Sequence, residues 1–200
     1  MRIIIGLGNP GKEYERTRHN VGFDVIDIVS DRFGIPVRKS AMHGLIGEGF
    51  LNGQKVTLVK PQTFMNLSGQ CVAEILSWYK PGKDEVLIVY DDIDLPLGKL
   101  RMRLSGSAGT HNGMRSVVTC TGRTDLMRLR VGVGHKPDGW DLADWVLSHY
   151  ATEDERKTQF QAFLRAGEVI EAWVRNGSEE AMRLANASTD KPGKNGTEKE

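Results

Sequence analysis

Asn9, His19, Asn66, Asp91, His111 and Asn112 are the polar residues best placed for chemistry, because each falls just past a predicted strand, in a loop or at a helix start. Ligands of open α/β sheets bind beyond the carboxyl ends of strands. Asn9 and Asp91 follow two apolar runs, Ile3-Ile4-Ile5 and Val86 to Tyr90. A histidine, a carboxylate and several amides suit hydrolysis by an activated water: imidazole takes the proton, the carboxylate fixes its tautomer, and amides hold the substrate and stabilise an oxyanion. A plainer reading, in which each asparagine caps a helix and His19 is a surface loop residue, stands beside this one, and spacing alone does not choose between them. Other chemistries lack their residues. Ser107 in "SGSAG" has Ser105 where a nucleophile elbow needs glycine, and there is no H-E-x-x-H or paired-cysteine motif. Neither a metal nor a cofactor is therefore expected.

The glycines Gly6, Gly8 and Gly11 spell G-x-G-x-x-G directly after the first apolar run. A dinucleotide fold would open a helix at once and place an acidic residue at the end of a second strand. Here Asn9-Pro10-Gly11 reads as a further turn, Lys12 to Arg18 is polar with no apolar face, and Asp24, Asp27 and Asp31 punctuate an amphipathic helix, Val21 to Phe33. The pattern without its context is weak.

The remaining elements alternate. Two strands, Gly44 to Leu51 and Gln54 to Val59, flank the hairpin dipeptide Asn52-Gly53. Asn66 is expected to cap a helix carrying Val72, Ile75, Leu76 and Tyr79, which Pro81-Gly82 ends. Val86 to Tyr90 reads as a strand buried on both faces, Asp91 to Gly98 as a turn, Lys99 to Leu104 as an alternating strand, and Ser105 to Gly109 as a loop. A helix over Asn112 to Thr121 and a strand over Leu129 to Val133 follow. Beyond them come a short helix, Asp141 to Leu147, and a long one begun by the capping box Thr152/Glu155, with Phe160, Phe163, Leu164, Ile170, Trp173 and Val174 on one side. Asn176-Gly177 stops it, and Ser178 caps a last short helix. The expected fold is a single α/β domain over residues 1–186, a mixed twisted sheet flanked by helices with a helical C-terminal third, followed by a disordered polar tail over 187–200.

Two hundred residues with 39% hydrophobic content suit one such domain. No run approaches a membrane span and the N-terminus lacks signal-peptide regions, so a cytoplasmic protein is expected. Cys71 and Cys120 lie far apart in predicted helices, which favours two buried small hydrophobes over a disulfide. The net charge of +1 hides a local feature. Alternation in "KLRMRLS" puts Lys99, Arg101 and Arg103 on one face, and "MRLRVGVG" does the same for Arg128 and Arg130. Like charges side by side destabilise a sheet unless a polyanion or carboxylates compensate, so the reading is open between a solvated face and a phosphate track.

Five blocks, "GLGNPGKEYERTRHNVGF", "KPQTFMNLSG", "YDDIDLPLGKLRMR", "GSAGTHNGMRSV" and "LRVGVGHKP", closely resemble the bacterial type of peptidyl-tRNA hydrolase, in order from residue 1 to about 175. The resemblance implies hydrolysis of the ester between peptide and tRNA, with His19 as catalytic base and Asp91 as the carboxylate that orients it. It implies that Asn9 and Asn66 hold substrate near the scissile ester, that Met65 with Phe64 shapes a peptide groove, that Asn112 binds substrate main chain and positions the water with His111 beside it, and that Tyr14 packs against the 3′ end. Arg101, Arg103 and Arg130 match basic residues for a tRNA phosphate, and Lys99 shares their face. Peptidyl-tRNA is then the partner, and a metal-free monomer is expected. Thr110 departs from the glycine common in the family, and "DGWDLADWVLSHY" resembles its lid region in place more than in letter, with core packing expected for Trp140 and Trp145. A non-catalytic RNA-binding module and a nicotinamide-dependent oxidoreductase are the alternative functions.

Overall fold

The computed structural model describes residues 1–187. Its centre follows from three successive isoleucines. In strand β1 (Arg2–Gly6) side chains alternate, so Ile3 and Ile5 enter one core while Ile4 enters another. An isoleucine run of this kind is stable only when both faces are covered, and β1 lies between two parallel neighbours, β4 (Gln54–Pro61) and β5 (Val86–Asp92). With β2 (Lys39–Ala41), β3 (Gly44–Leu51), β6 (Leu100–Arg103) and β7 (Met127–Gly132), the sheet has seven strands in the order β2-β3-β4-β1-β5-β7-β6. The middle pairs are parallel; β2/β3, β3/β4 and β6/β7 are antiparallel.

Helices cover both faces. On one side α1 (Val21–Phe33), α5 (Glu153–Asn176) and α6 (Ser178–Asn186) bury Val25, Ile26, Phe163, Ile170 and Trp173 against Ile4, Leu87 and Leu129. On the other, α2 (Ser68–Tyr79) and α3 (Asn112–Thr121) bury Val72, Ile75, Met114 and Val117 against Ile3, Ile5 and Ile88. A short helix, α4 (Leu142–Leu147), stands apart from both layers and buries only Val146. Among the described residues no helix is long and apolar enough to cross a membrane.

The local chemistry explains most boundaries. Asn52 and Gly53 both take positive φ (49° and 77°), the geometry of the tight hairpin turn their types predict. Thr152 Oγ1 accepts from the Glu155 amide at 3.1 Å, and Glu155 accepts in return from the amides of Ala151 and Thr152, forming the expected box at the head of α5.

Several expectations are corrected. Asn66 caps nothing; it lies exposed inside a 3-10 turn, Met65–Leu67, and α2 starts at Ser68. Lys12 to Arg18 holds a 3-10 turn (Lys12–Tyr14) and the start of a second (Arg18–Asn20), with Thr17 and Arg18 buried. Lys99 falls just before β6, and the three-residue β2 carries too little pattern to be anticipated. Cys71 is buried but Cys120 is exposed on α3. Phe160 and Trp140 are half exposed, because their positions on α5 and before α4 turn away from the cores. Ser178 makes no cap; it is the first residue of α6. The expected polar tail lies, from residue 188 on, outside the described residues.

Gly6 and Gly22 are where α1 meets the sheet. A Cβ on Gly22 would drive into the Leu7 backbone, and one on Gly6 into the Gly22 carbonyl. The opening glycine pattern thus serves helix-to-strand contact at Gly6. Gly22→Ala should lower unfolding free energy by on the order of 1–3 kcal/mol through overpacking, measured by urea denaturation. A variant as stable as the parent would show that α1 can shift freely.

Candidate active site

Three parallel strands end at one lip of the sheet, where the order runs outward from β1 to both sides. The chains leaving β1 and β4 deliver Asn9 and Met65, β5 carries Asp91 next to its own last residue, and a cavity of about 850 Å³ lies beyond them. This is the switch-point crevice that the topology predisposes to ligand binding.

Asp91, only 2% exposed, sits near the end of a strand whose seven residues are all buried. Its Oδ1 lies 2.8 Å from His19 Nδ1 and 2.8 Å from His111 Nε2. Burial alone would raise the Asp91 pKa, but the two imidazoles and their hydrogen bonds hold it well below the usual carboxylate range. An ionised carboxylate only accepts, so both nitrogens facing it carry protons. For His111 the other nitrogen is also settled: Nδ1 accepts the Met114 amide at 3.2 Å, capping α3. His111 thus turns Nε2 to the carboxylate and Nδ1 to the backbone of its own helix. His19, 8% exposed, is left with the Nε2 lone pair as its free valence. Burial opposes the charged form of His19, but the charge of Asp91 and its hydrogen bond outweigh this and raise the His19 pKa above the ordinary 6.5. The rings of His19 and His111 lie 5.0 Å apart, and Tyr90 packs 4.8 Å from His111.

A second network fixes the neighbouring loops. The Asn9 amide N–H donates to Asn20 Oδ1 at 2.9 Å, and Asn20 Nδ2 donates back to the Asn9 carbonyl at 2.9 Å. Asn9 Oδ1 accepts the Met65 amide at 2.7 Å. With its oxygen taken, the Asn9 side chain keeps Nδ2 as a donor at the cavity. Phe64, exposed beside Met65, adopts φ 60° and ψ 160°. That conformation costs a bulky residue roughly 1–3 kcal/mol and is tolerated where the surroundings fix it, here by the Asn9–Met65 bond. Tyr14 meets Phe64 edge to face at 6.2 Å. Asn66 and Asn112, both exposed, complete the polar rim. The structure thus brings Asn9, Tyr14, His19, Phe64, Met65, Asn66, Asp91, His111 and Asn112 to one cavity. That gathering disposes of the plainer reading of His19 as a surface residue.

The basic face exists but is unequal. Arg101 lies directly opposite Arg130 and Arg103 opposite Arg128, so four guanidinium groups share one side of the β6/β7 pair. Arg130 is neutralised by Asp92 at 2.5 Å, and Arg128, 3% exposed, donates to the carbonyls of Gly106 and Ser107. Arg101 and Arg103 are exposed and make no ion pair among the described residues. Arg103 and Arg130 border the cavity; Arg101 and the half-buried Lys99 lie outside its lining.

Asn20, Arg18, Tyr90 and Asp92 also support the site, and the sequence does not single them out. Adjacency to His19 or Asp91 is the one signal the sequence offers for all four, but their roles depend on contacts far along the chain.

Residues 3–193 match the family model described as peptidyl-tRNA hydrolase. A peptidyl-tRNA hydrolase of Lachnospira eligens is 49% identical over 186 residues, covering 93% of this chain and all of the relative; one of Chloroflexus aggregans is 48% identical over 188, covering 93% and 99%. The crystal structure of peptidyl-tRNA hydrolase from Acinetobacter baumannii superposes with a TM-score of 0.88 at 34% identity, covering 94% of this chain and 95% of the other. By sequence and by fold, this chain belongs to the peptidyl-tRNA hydrolase family.

Proposed function

We propose that His19 is the general base with which this enzyme hydrolyses the ester between peptide and tRNA in peptidyl-tRNA. The observation that carries this reading is the Asp91 carboxylate held between two imidazoles, which takes up His19 Nδ1 and leaves Nε2 as the ring nitrogen available to a water in the cavity. A water donates its proton to Nε2 as its oxygen attacks the ester carbonyl carbon. Asp91 stabilises the imidazolium that forms. The tetrahedral oxyanion accepts hydrogen bonds from the side-chain amide of Asn66 or Asn112, and Asn9 Nδ2 holds the substrate near the scissile bond. The carbon–oxygen bond to the ribose then breaks, the imidazolium returns its proton to the leaving oxygen, and free tRNA and peptide result.

Phe64 and Met65 form the apolar wall for the peptide, Tyr14 packs against the 3′ end, and His111 stands beside the substrate while sharing Asp91. Arg101 and Arg103, with Arg130 and Lys99 in support, meet the tRNA phosphates. The ligand-capable atoms of His19, Asp91 and His111 lie within 4.8 Å of one another, but they are joined by protons on both imidazoles, and a cation would have to displace both. The reading is accordingly of a metal-free enzyme; a monomer in the cytoplasm belongs to the same proposal as a separate expectation. An RNA-binding module without catalysis would have no use for a base oriented in this way.

His19→Ala should reduce release of peptide from an N-blocked peptidyl-tRNA, assayed in chelator, by at least about 10²–10⁴-fold. Near-normal release would remove His19 from the role, and loss of parental activity in chelator would remove the metal-free reading.

Because the base works unprotonated and its pKa is raised, kcat/KM should climb with pH through a limb lying above 6.5. In Asp91→Asn burial acts without the compensating charge, so the limb should move to lower pH while the rate falls at every pH. A limb that stays in place would mean that Asp91 does not set the basicity of His19.

Arg101→Ala should weaken binding of tRNA-linked substrates, make the logarithmic salt dependence shallower by about one phosphate contact, and spare small ester analogues. Equal damage to both substrate types would overturn the phosphate assignment.

A further inference from the structure

Arg18 is a buried arginine, 2% exposed, that no step of the reaction uses, yet it immediately precedes His19. Its guanidinium carbon lies 3.8 Å from the ring centre of Trp145 in α4 and 4.6 Å from that of Tyr150. Its Nη1 donates to the Val133 carbonyl at 2.9 Å, Nε to Ser148 Oγ at 3.3 Å, and Nη2 lies 3.7 Å from Glu155 at the head of α5. Its backbone amide donates to the Ser148 carbonyl at 3.0 Å, and Thr17 forms a β-bridge with His149. One side chain thus joins the turn carrying His19, the exit of β7, both ends of the segment after α4, and α5.

Helix α4 needs such a tie. Six residues are too few for a helix to persist alone. Val146 is the single buried residue of α4; Leu142, Ala143 and Leu147 are exposed and line the cavity together with it. The remaining large anchor is Trp145, whose Nε1 donates to the Gly134 carbonyl at 3.3 Å and whose ring receives Arg18. A desolvated guanidinium over an indole is among the stronger side-chain contacts, and arginine alone combines that stack with a fork of donors.

We infer that Arg18 is a positioning residue for substrate binding: it ties α4 to the turn that carries His19 and so holds the α4 wall of the cavity at a fixed distance from the base. The inference rests on the proposed use of this cavity by peptidyl-tRNA, but the tie itself is readable without substrate. Loss of the tie leaves the His19–Asp91 pair intact and loosens the wall, so ground-state and transition-state binding suffer alike.

The test is amide hydrogen exchange on the full chain, joined to steady-state kinetics, in Arg18→Met, Arg18→Lys and Trp145→Leu. Each should speed exchange of the α4 amides by about tenfold or more while α1 and α3 keep parental rates. Each should also raise KM by about tenfold with kcat within about twofold and the acidic limb of the pH profile in place. Trp145→Leu removes the stack from the α4 side without touching the His19 turn, so it carries the test if an Arg18 variant fails to fold. Parental exchange in α4, equal acceleration in every helix, an unchanged KM, a loss confined to kcat, or full rescue by lysine would each overturn the inference. If peptidyl-tRNA proved not to be cleaved at His19, the exchange result would stand and only the kinetic arm would fall.

Discussion

A single carboxylate oxygen organises the site. Asp91 Oδ1 accepts from two imidazoles, and it is the one group that both rings share. The requirement this places on the fold is severe, because an ionised carboxylate in a buried place is costly unless it is fully hydrogen-bonded. Both donors must therefore arrive together, one from the turn before α1 and one from the head of α3, on opposite sides of the sheet. The strand that carries Asp91 is buried throughout and flanked by β1 and β7, which fixes the acceptor rigidly. The donors come from segments that are held by other means.

Those means differ on the two sides. His111 is fixed by serving as the cap of its own helix, so one side chain satisfies a backbone amide and the carboxylate at once. His19 is fixed by its neighbours: Asn20 binds the Asn9 backbone, and Asn9 binds Met65. The tight approach of α1 to β1 at Gly6 and Gly22 sets the depth at which this turn sits. Packing, capping and the arrangement of the candidate site are in this way the same set of contacts seen at different scales.

Much of this was legible in the sequence, and for reasons that can be given residue by residue. The apolar run ending at Tyr90 is a central strand because nothing in it tolerates water, so Asp91 at its end had to meet the sheet's lip. The alternation of "KLRMR" and "MRLR" correctly placed arginines on one face, because side-chain period is a backbone property. It did not reveal that Arg128 and Arg130 spend their charge internally, since Gly106, Ser107 and Asp92 become partners only through tertiary contact. Asn66 misled for a related reason: it has the chemistry of a cap, but the backbone at Phe64 takes an unusual conformation and the helix begins two residues later. Arg18 was invisible because the rings and carbonyls that bury it lie more than a hundred residues away.

The unequal arginines have a kinetic side. Phosphates belong to substrate and to released tRNA alike, so every cation that grips them stabilises both and delays departure of the product. On the proposed phosphate assignment, Asp92 and two loop carbonyls occupy half of the guanidinium groups of this face, so the grip falls to Arg101 and Arg103 and its hold on the product is correspondingly limited.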